Sequence, residues 1–314
     1  MSVRILLLCA AERGLRVLEK LATLVPADGL IVCSFREEKV EPPFLDGIRG
    51  RALALGARFY ETRDVGRLPD PVLEEADLLI AVSWRYLVPP KVFTRLRLGA
   101  YVIHDSLLPA YRGFAPTVWA LINREKEVGA TLFAMTEGVD AGDIVDQRRI
   151  PLGDDDRIAE VMQRMTAAYL ELLEANLKGL LSGTPPRTPQ NHAGATYTCR
   201  RLPEDNLIRW EAPTEETYAL IRAVSRPYPG AFTWLEDRRM VAWDARRVDA
   251  GRYVGRVPGR VVEVVPAVGA IVLTGDGALL LTESQLDGDE PRNASEILTR
   301  SGMTLRPRAA PGVA

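Results

Sequence analysis

Ile5-Leu6-Leu7-Leu8-Cys9-Ala10-Ala11 is a continuous apolar run; behind it Leu15, Val17, Leu18, Leu21 and Leu24 recur at helical spacing, and Leu30-Ile31-Val32-Cys33 is a second short run. A run without alternation is a strand buried on both faces, and a helical stretch between two such runs is a strand-helix-strand crossover. Asp77 to Val82 and Ala100 to Ile103 repeat the pattern further along. The expectation is an α/β fold, a doubly wound and mostly parallel sheet of Rossmann-like type with helices on both faces. In such sheets the working side chains collect beyond the carboxyl ends of the strands, and His104 directly follows Tyr101-Val102-Ile103.

Arg157 to Leu181 has the pattern of a long amphipathic helix, preceded by Asp154, Asp155 and Asp156, whose carboxylates suit the positive end of a helix, and stopped at Gly183. Thr184 to Ala195 contains Pro185, Pro186, Pro189 and Gly194 and reads as a linker. Beyond it lie one helical stretch, Glu215 to Val224, and short β-rich runs at Ala231–Leu235, Met240–Trp243, Arg260–Val265, Ala270–Thr274 and Ala278–Thr282. Turn residues such as Pro258-Gly259 and Gly275-Asp276-Gly277 separate the runs, which predicts a small OB-like β-barrel closed by a short helix near Ala294 to Ser301. The expected division is a domain over 1–183, a linker over 184–203 and a C-terminal barrel over 204–308.

A chain of 314 residues is long enough for two hydrophobic cores. Forty basic and 42 acidic residues give a net charge of -2, so no global attraction draws this chain to a phosphate backbone. The first apolar run is too short to span a bilayer and lacks a basic leader, which predicts a cytoplasmic protein without membrane contact. Cys9, Cys33 and Cys199 are an odd number without metal or redox spacing; they read as reduced thiols, and no metal is expected. Ala10-Ala11-Glu12-Arg13-Gly14 has one glycine where the dinucleotide fingerprint needs three, which argues against a nicotinamide cofactor.

The stretch richest in chemistry is His104-Asp105-Ser106-Leu107-Leu108-Pro109-Ala110-Tyr111-Arg112-Gly113-Phe114-Ala115-Pro116, with Gly138-Val139-Asp140-Ala141-Gly142-Asp143 following. It reads as a strand ending in histidine, a rigid loop, a helix, another strand and a tight turn. The chain has two histidines. An imidazole is the side chain best suited to proton transfer near neutral pH, so His104 is the candidate base, while His192, in the proline-rich segment, reads as a solvated loop residue. Asp140 is either a turn former or the carboxylate that fixes the tautomer of His104.

The loop resembles the His-x-Ser-Leu-Leu-Pro-x-x-Arg-Gly signature of 10-formyltetrahydrofolate-dependent formyltransferases, and the Asp-x-Gly turn is similar as well. Ile221-Arg222-Ala223, Pro227-Tyr228-Pro229-Gly230-Ala231-Phe232 and Pro258-Gly259-Arg260-Val261 resemble the C-terminal domain of methionyl-tRNA formyltransferase and related enzymes, the aminoarabinose-type sugar formyltransferases among them. The resemblance implies that an amine attacks the formyl carbon of 10-formyltetrahydrofolate, that His104 manages the proton and that Asp140 supports it. Family members hold the tetrahedral oxyanion with an asparagine two residues before the histidine; here that residue is Val102. Loss of such a donor typically costs roughly 2.7 to 4 kcal/mol. Three readings stand: His104 as imidazolium is the donor, Ser106 or a backbone N–H substitutes, or the protein binds formyl-folate without turnover.

The resemblance further implies a folate slot built from Tyr86, Leu87, Val88, Leu107, Leu108, Phe114, Thr136, Glu137, Gly138, Val139 and Asp140, with Trp84 either behind it or in the core. Arg112 either ties down its own loop or meets substrate. The acceptor expected is a small-molecule amine, an amino-sugar nucleotide or an amino-acid or natural-product amine. No insertion loop for an acceptor stem is evident between Lys39 and Arg51. The alternatives are a methionyl-tRNA formyltransferase, for which Arg200-Arg201 and Arg246-Arg247 are candidates for a basic strip, and a non-catalytic formyl-folate-binding paralogue.

Overall fold

The computed structural model describes residues 3–38 and 42–307. The chain divides into two compact units, one of residues 1–117, 127–151 and 162–200, the other of 118–126, 152–161 and 201–314. The first carries a seven-stranded sheet of β1 (Ile5–Cys9), β2 (Leu30–Ser34), β3 (Arg58–Glu61), β4 (Leu78–Val82), β5 (Gly99–His104), β6 (Glu127–Ala134) and β7 (Ile144–Pro151), ordered β3-β2-β1-β4-β5-β6-β7. Strands β1 to β5 run parallel; β6 is antiparallel to β5, and β7 to β6. Every residue of β1, β2 and β4 is buried, which is why each reads as an unbroken apolar run. Edge strand β3, Arg58-Phe59-Tyr60-Glu61, is only half-buried and charged at both ends, so it carries no such signature.

Helix α1 (Ala11–Leu24) packs Val17, Leu18 and Leu21 inward. The long helix expected over 157–181 is α2 (Ile158–Ser182). The expected linker is corrected by the structure: residues 184–200 belong to the first unit. Thr188 bridges to Ile144 of β7, Tyr197–Thr198 pairs in parallel with Arg112–Gly113, and Gln190 is 5% exposed. Prolines prevent a long ladder here, but they leave Thr188, Gln190 and Tyr197 free to make tertiary contacts that composition does not reveal.

The second unit holds an antiparallel sheet of β8 (Ala231–Leu235), β9 (Arg238–Val248), β10 (Val261–Val265), β11 (Gly269–Leu273), β12 (Ala278–Leu286) and β13 (Leu305–Arg306), ordered β10-β11-β12-β9-β8-β13. Its edges approach one another through the bridge Arg260 to Thr304, where Val261 N donates to Met303 O at 2.9 Å and Leu305 N to Gly259 O at 2.8 Å. The sheet therefore curls on itself in the manner of a small barrel. Helix α3 (Thr214–Val224) buries Tyr218, Ala219, Ile221 and Val224. The terminal helix is shorter than expected, Ala294–Ile297, and residue 308, the expected end of the barrel, lies outside the described residues. No described helix is long and apolar enough to cross a membrane.

Candidate active site

β5 delivers His104 to the carboxyl end of the sheet, and the loop that follows is fastened to the two strands beside it. Thr131 of β6 donates its hydroxyl to Ser106 O at 2.6 Å and accepts Leu108 N at 3.2 Å; Gln147 of β7 donates to Leu108 O at 3.0 Å and to Thr131 Oγ1 at 2.9 Å. Ser106 is buried and donates its own hydroxyl to Ala110 O at 2.7 Å. A hydroxyl has one hydrogen, so Ser106 in this arrangement has no donor left for an oxyanion.

His104 Nε2 lies 3.0 Å from the carbonyl oxygen of Tyr111. A carbonyl only accepts, so Nε2 carries the proton and the neutral ring presents a lone pair at Nδ1. Nδ1 faces Asp140 Oδ2 at 3.8 Å, with the two side chains 11% and 18% exposed. Asp140 Oδ2 in turn accepts Gly113 N at 2.8 Å. A lone pair and a carboxylate at this spacing form no bond to each other, but they are the right distance apart to share the hydrogens of a third group placed between them.

The Asp140 turn is held from outside. Gln190 Nε2 donates to Asp140 O at 2.9 Å and Gly142 O at 2.6 Å, while its Oε1 accepts Arg112 Nη2 at 2.5 Å. Arg112, 2% exposed, also reaches His192 Nδ1 at 3.1 Å and Tyr197 Oη at 3.2 Å. Arg112 therefore ties its own loop to the turn, and His192, although exposed, has a side-chain partner that a solvated loop residue would lack. Gln190 was invisible in the sequence: a single glutamine among prolines carries no pattern.

Asp105 was also missed. Its carboxylate accepts Arg13 Nη1 at 2.5 and 2.6 Å, Tyr169 of α2 bonds to Oδ1, and Thr117 reaches Oδ2 at 3.4 Å. Burial acts to raise this carboxyl, yet Arg13, Tyr169 and His104 together hold it below the ordinary carboxylate value. Burial pushes the thiol of Cys33 up to about 12 and that of Cys9 higher still, so both are inert near neutrality.

Val102 is half-buried and packs against the core beneath the site together with Trp84, Val88 and Met135. Trp84, Tyr86 and Phe35 meet edge to face, with ring centroids 4.9 to 5.9 Å apart. Of the expected folate slot, Leu87, Phe114 and Val139 are exposed, as are Thr136, Glu137 and Gly138, while Tyr86 is half-buried. Leu108 is buried, and Leu107 lies over Gly129, where an added Cβ would come within 2.5 Å of it; packing occupies both leucines. Of the expected basic strip, Arg200 pairs with Glu38, Arg201 bonds to Asp205 O and Asn206, and Arg247 pairs with Asp155 and Glu215.

Residues 71–176 match the family described as formyl transferase, and residues 202–302 match its C-terminal domain. Among solved structures, the chain is similar to HypX from Aquifex aeolicus in complex with tetrahydrofolic acid at 18% identity and a TM-score of 0.62, over 95% of this chain and 47% of that one. It thus spans about half the length of HypX. It is similar to WlaRD, a sugar 3N-formyl transferase solved with dTDP and 5-N-formyl-THF, at 16% identity and a TM-score of 0.65 over 92% of this chain and 100% of that one. A third likeness is to the N-formyltransferase from Helicobacter canadensis in complex with folinic acid and dTDP-3-aminofucose, at 15% identity and a TM-score of 0.66, covering 89% of this chain and 98% of that one. At these identities the likeness is one of fold.

Proposed function

Because this chain belongs to the formyl transferase family, we propose that it moves a formyl group from 10-formyltetrahydrofolate to the amine of a small molecule. The observation that carries the reading is the His104 Nδ1 to Asp140 Oδ2 gap of 3.8 Å, with Nε2 anchored on Tyr111 O and the carboxylate anchored on Gly113 N. An incoming amine has hydrogens for both acceptors. Asp140 orients it, its nitrogen attacks the formyl carbon, and the proton it sheds passes to His104 Nδ1. The bond from the formyl carbon to N10 of the folate then breaks as the oxyanion collapses to the amide carbonyl, and N10 takes the proton held on His104 Nδ1 to leave as tetrahydrofolate.

The developing oxyanion needs a donor. Val102 has none and Ser106 is engaged with Ala110; His104, once protonated at Nδ1, is the donor that this arrangement favours. Tyr86, Leu87, Val88, Phe114 and the turn Thr136 to Asp140 are assigned to the folate side of the crevice. Leu107 and Leu108 are assigned to packing.

A small acceptor is favoured over tRNA because three of the four arginines of the basic strip already have partners within the chain. The fold likeness to sugar formyltransferases that it spans almost end to end adds support. The test is incubation with 10-formyltetrahydrofolate and amino-sugar nucleotides, amino acids and charged tRNA, following tetrahydrofolate release and the formylated product. Product on small amines is expected. Product on tRNA alone overturns the acceptor class, and formyl-folate binding without any product overturns catalysis.

A further inference from the structure

We infer that Asp105, clamped by Arg13 and Tyr169, is a positioning residue for His104 that fixes the attitude of its imidazole. The inference rests on the reading of His104 as the proton carrier, and three observations support it. The Tyr169 hydroxyl sits between Ile103 O, at 2.8 Å, and Asp105 Oδ1 and has one hydrogen to share between them, so one group on α2 meets the chain on both sides of His104. Arg13, in the first turn of α1, is 6% exposed at its side chain, with its guanidinium 4.6 Å above the Tyr169 ring. A buried ion pair recovers little net stability from its own attraction, so stability alone is a weak reason to keep one here. The Asp105 carboxylate is also electrostatically coupled to His104.

Asp140 Oδ2 lies 3.8 Å from Nδ1 of the imidazole, while Asp105, the next residue along the chain, is held by Arg13 from α1 and Tyr169 from α2.

The ring-proton NMR signals of His104 test this without turnover, so failure here is separable from failure of the formyl-transfer reading. The chain has two histidines, and the His104 signal is identified by its loss in His104→Ala. Asp105→Asn and Arg13→Gln each loosen the clamp and should displace the His104 ring signals and lower kcat with KM for formyl-folate little changed; ring signals that stay in place in Asp105→Asn overturn the inference. Should the single variants fail to fold, Tyr169→Phe decides, because it removes no charge and keeps the ring. It should displace the His104 ring signals and lower kcat with KM for formyl-folate little changed; ring signals that stay in place overturn the inference.

Discussion

Gln190 donates its side-chain amide to the backbone carbonyl of Asp140 at 2.9 Å, across a separation of 50 residues. The same nitrogen serves Gly142 and the amide oxygen serves Arg112, so one residue holds the turn and ties it to the loop after His104. Gln190→Ala leaves two carbonyls and one guanidinium N–H without the partner they have in a buried place, a loss on the order of 1 to 3 kcal/mol. Urea unfolding should show that loss, and kcat should fall at least about tenfold as the Asp140 carboxylate drifts from Nδ1 of His104. Stability that falls while kcat holds would mean the turn needs no such support.

His104→Ala removes the group assigned to proton transfer, and general acid-base catalysis contributes about 100- to 10,000-fold. Transfer should drop by a factor in that range, while the dissociation constant for formyl-folate, measured by fluorescence or calorimetry, changes little. Undiminished turnover would remove His104 from the mechanism.

The parallel core was legible because β1, β2 and β4 are buried on both faces and leave unbroken apolar runs. His104 and Asp140 stood out for a different reason: His104 ends β5 and opens a loop that resembles a family signature, and Asp140 lies in the tight turn that resembles its second part. What escaped was held by tertiary partners. Asp105 looked like any loop aspartate until Arg13 and Tyr169, 92 and 64 residues away, met it in space. Gln190 lay in a tract read as a linker, because proline content reports on ladder formation and not on which side chains are buried. Strand β3 escaped because an exposed edge needs no apolar run.

Val102→Asn places an amide at the position where the resemblance to the family signature leads one to expect it. Here the side chain at this position packs with Trp84, Val88 and Met135 against an apolar core, and burying an amide there without a partner costs roughly 1 to 3 kcal/mol. The expected outcome is a lower unfolding midpoint with no gain in kcat. A rate increase of about tenfold or more would show instead that the missing donor limits turnover and that the pocket accepts it.

Asp105 also gives the fold an acid dependence of known sign. Its folded carboxyl lies below the ordinary value of about 3.9, so its contribution is fully present above that pH and is lost as pH falls through the depressed folded value. Asp105→Asn mimics the protonated form. The stability gap between parent and variant, read by urea unfolding at a series of pH values, should therefore be constant near neutrality and narrow as the pH falls below about 4. A gap that does not narrow on acidification would mean the carboxylate form has no advantage in the folded chain.

Gly142 lies where the Asp140 turn presses on β6: a Cβ there would stand 1.7 Å from Ala134 O and 3.1 Å from Thr136 Cγ2. Ala134 does not yield easily, since its N–H donates to Asp143 O at 2.9 Å and moving it would break the start of the β6–β7 pairing. Gly142→Ala should thus move the turn rather than the strand, lifting Asp140 away from Gly113 N and from His104. Because a displacement of about 1 Å costs on the order of 100-fold in a positioned reaction, kcat should fall by that order while far-UV circular dichroism stays that of the parent. A variant that keeps full turnover would show that the turn has slack, and that the 3.8 Å spacing of His104 and Asp140 is not what the chemistry depends on.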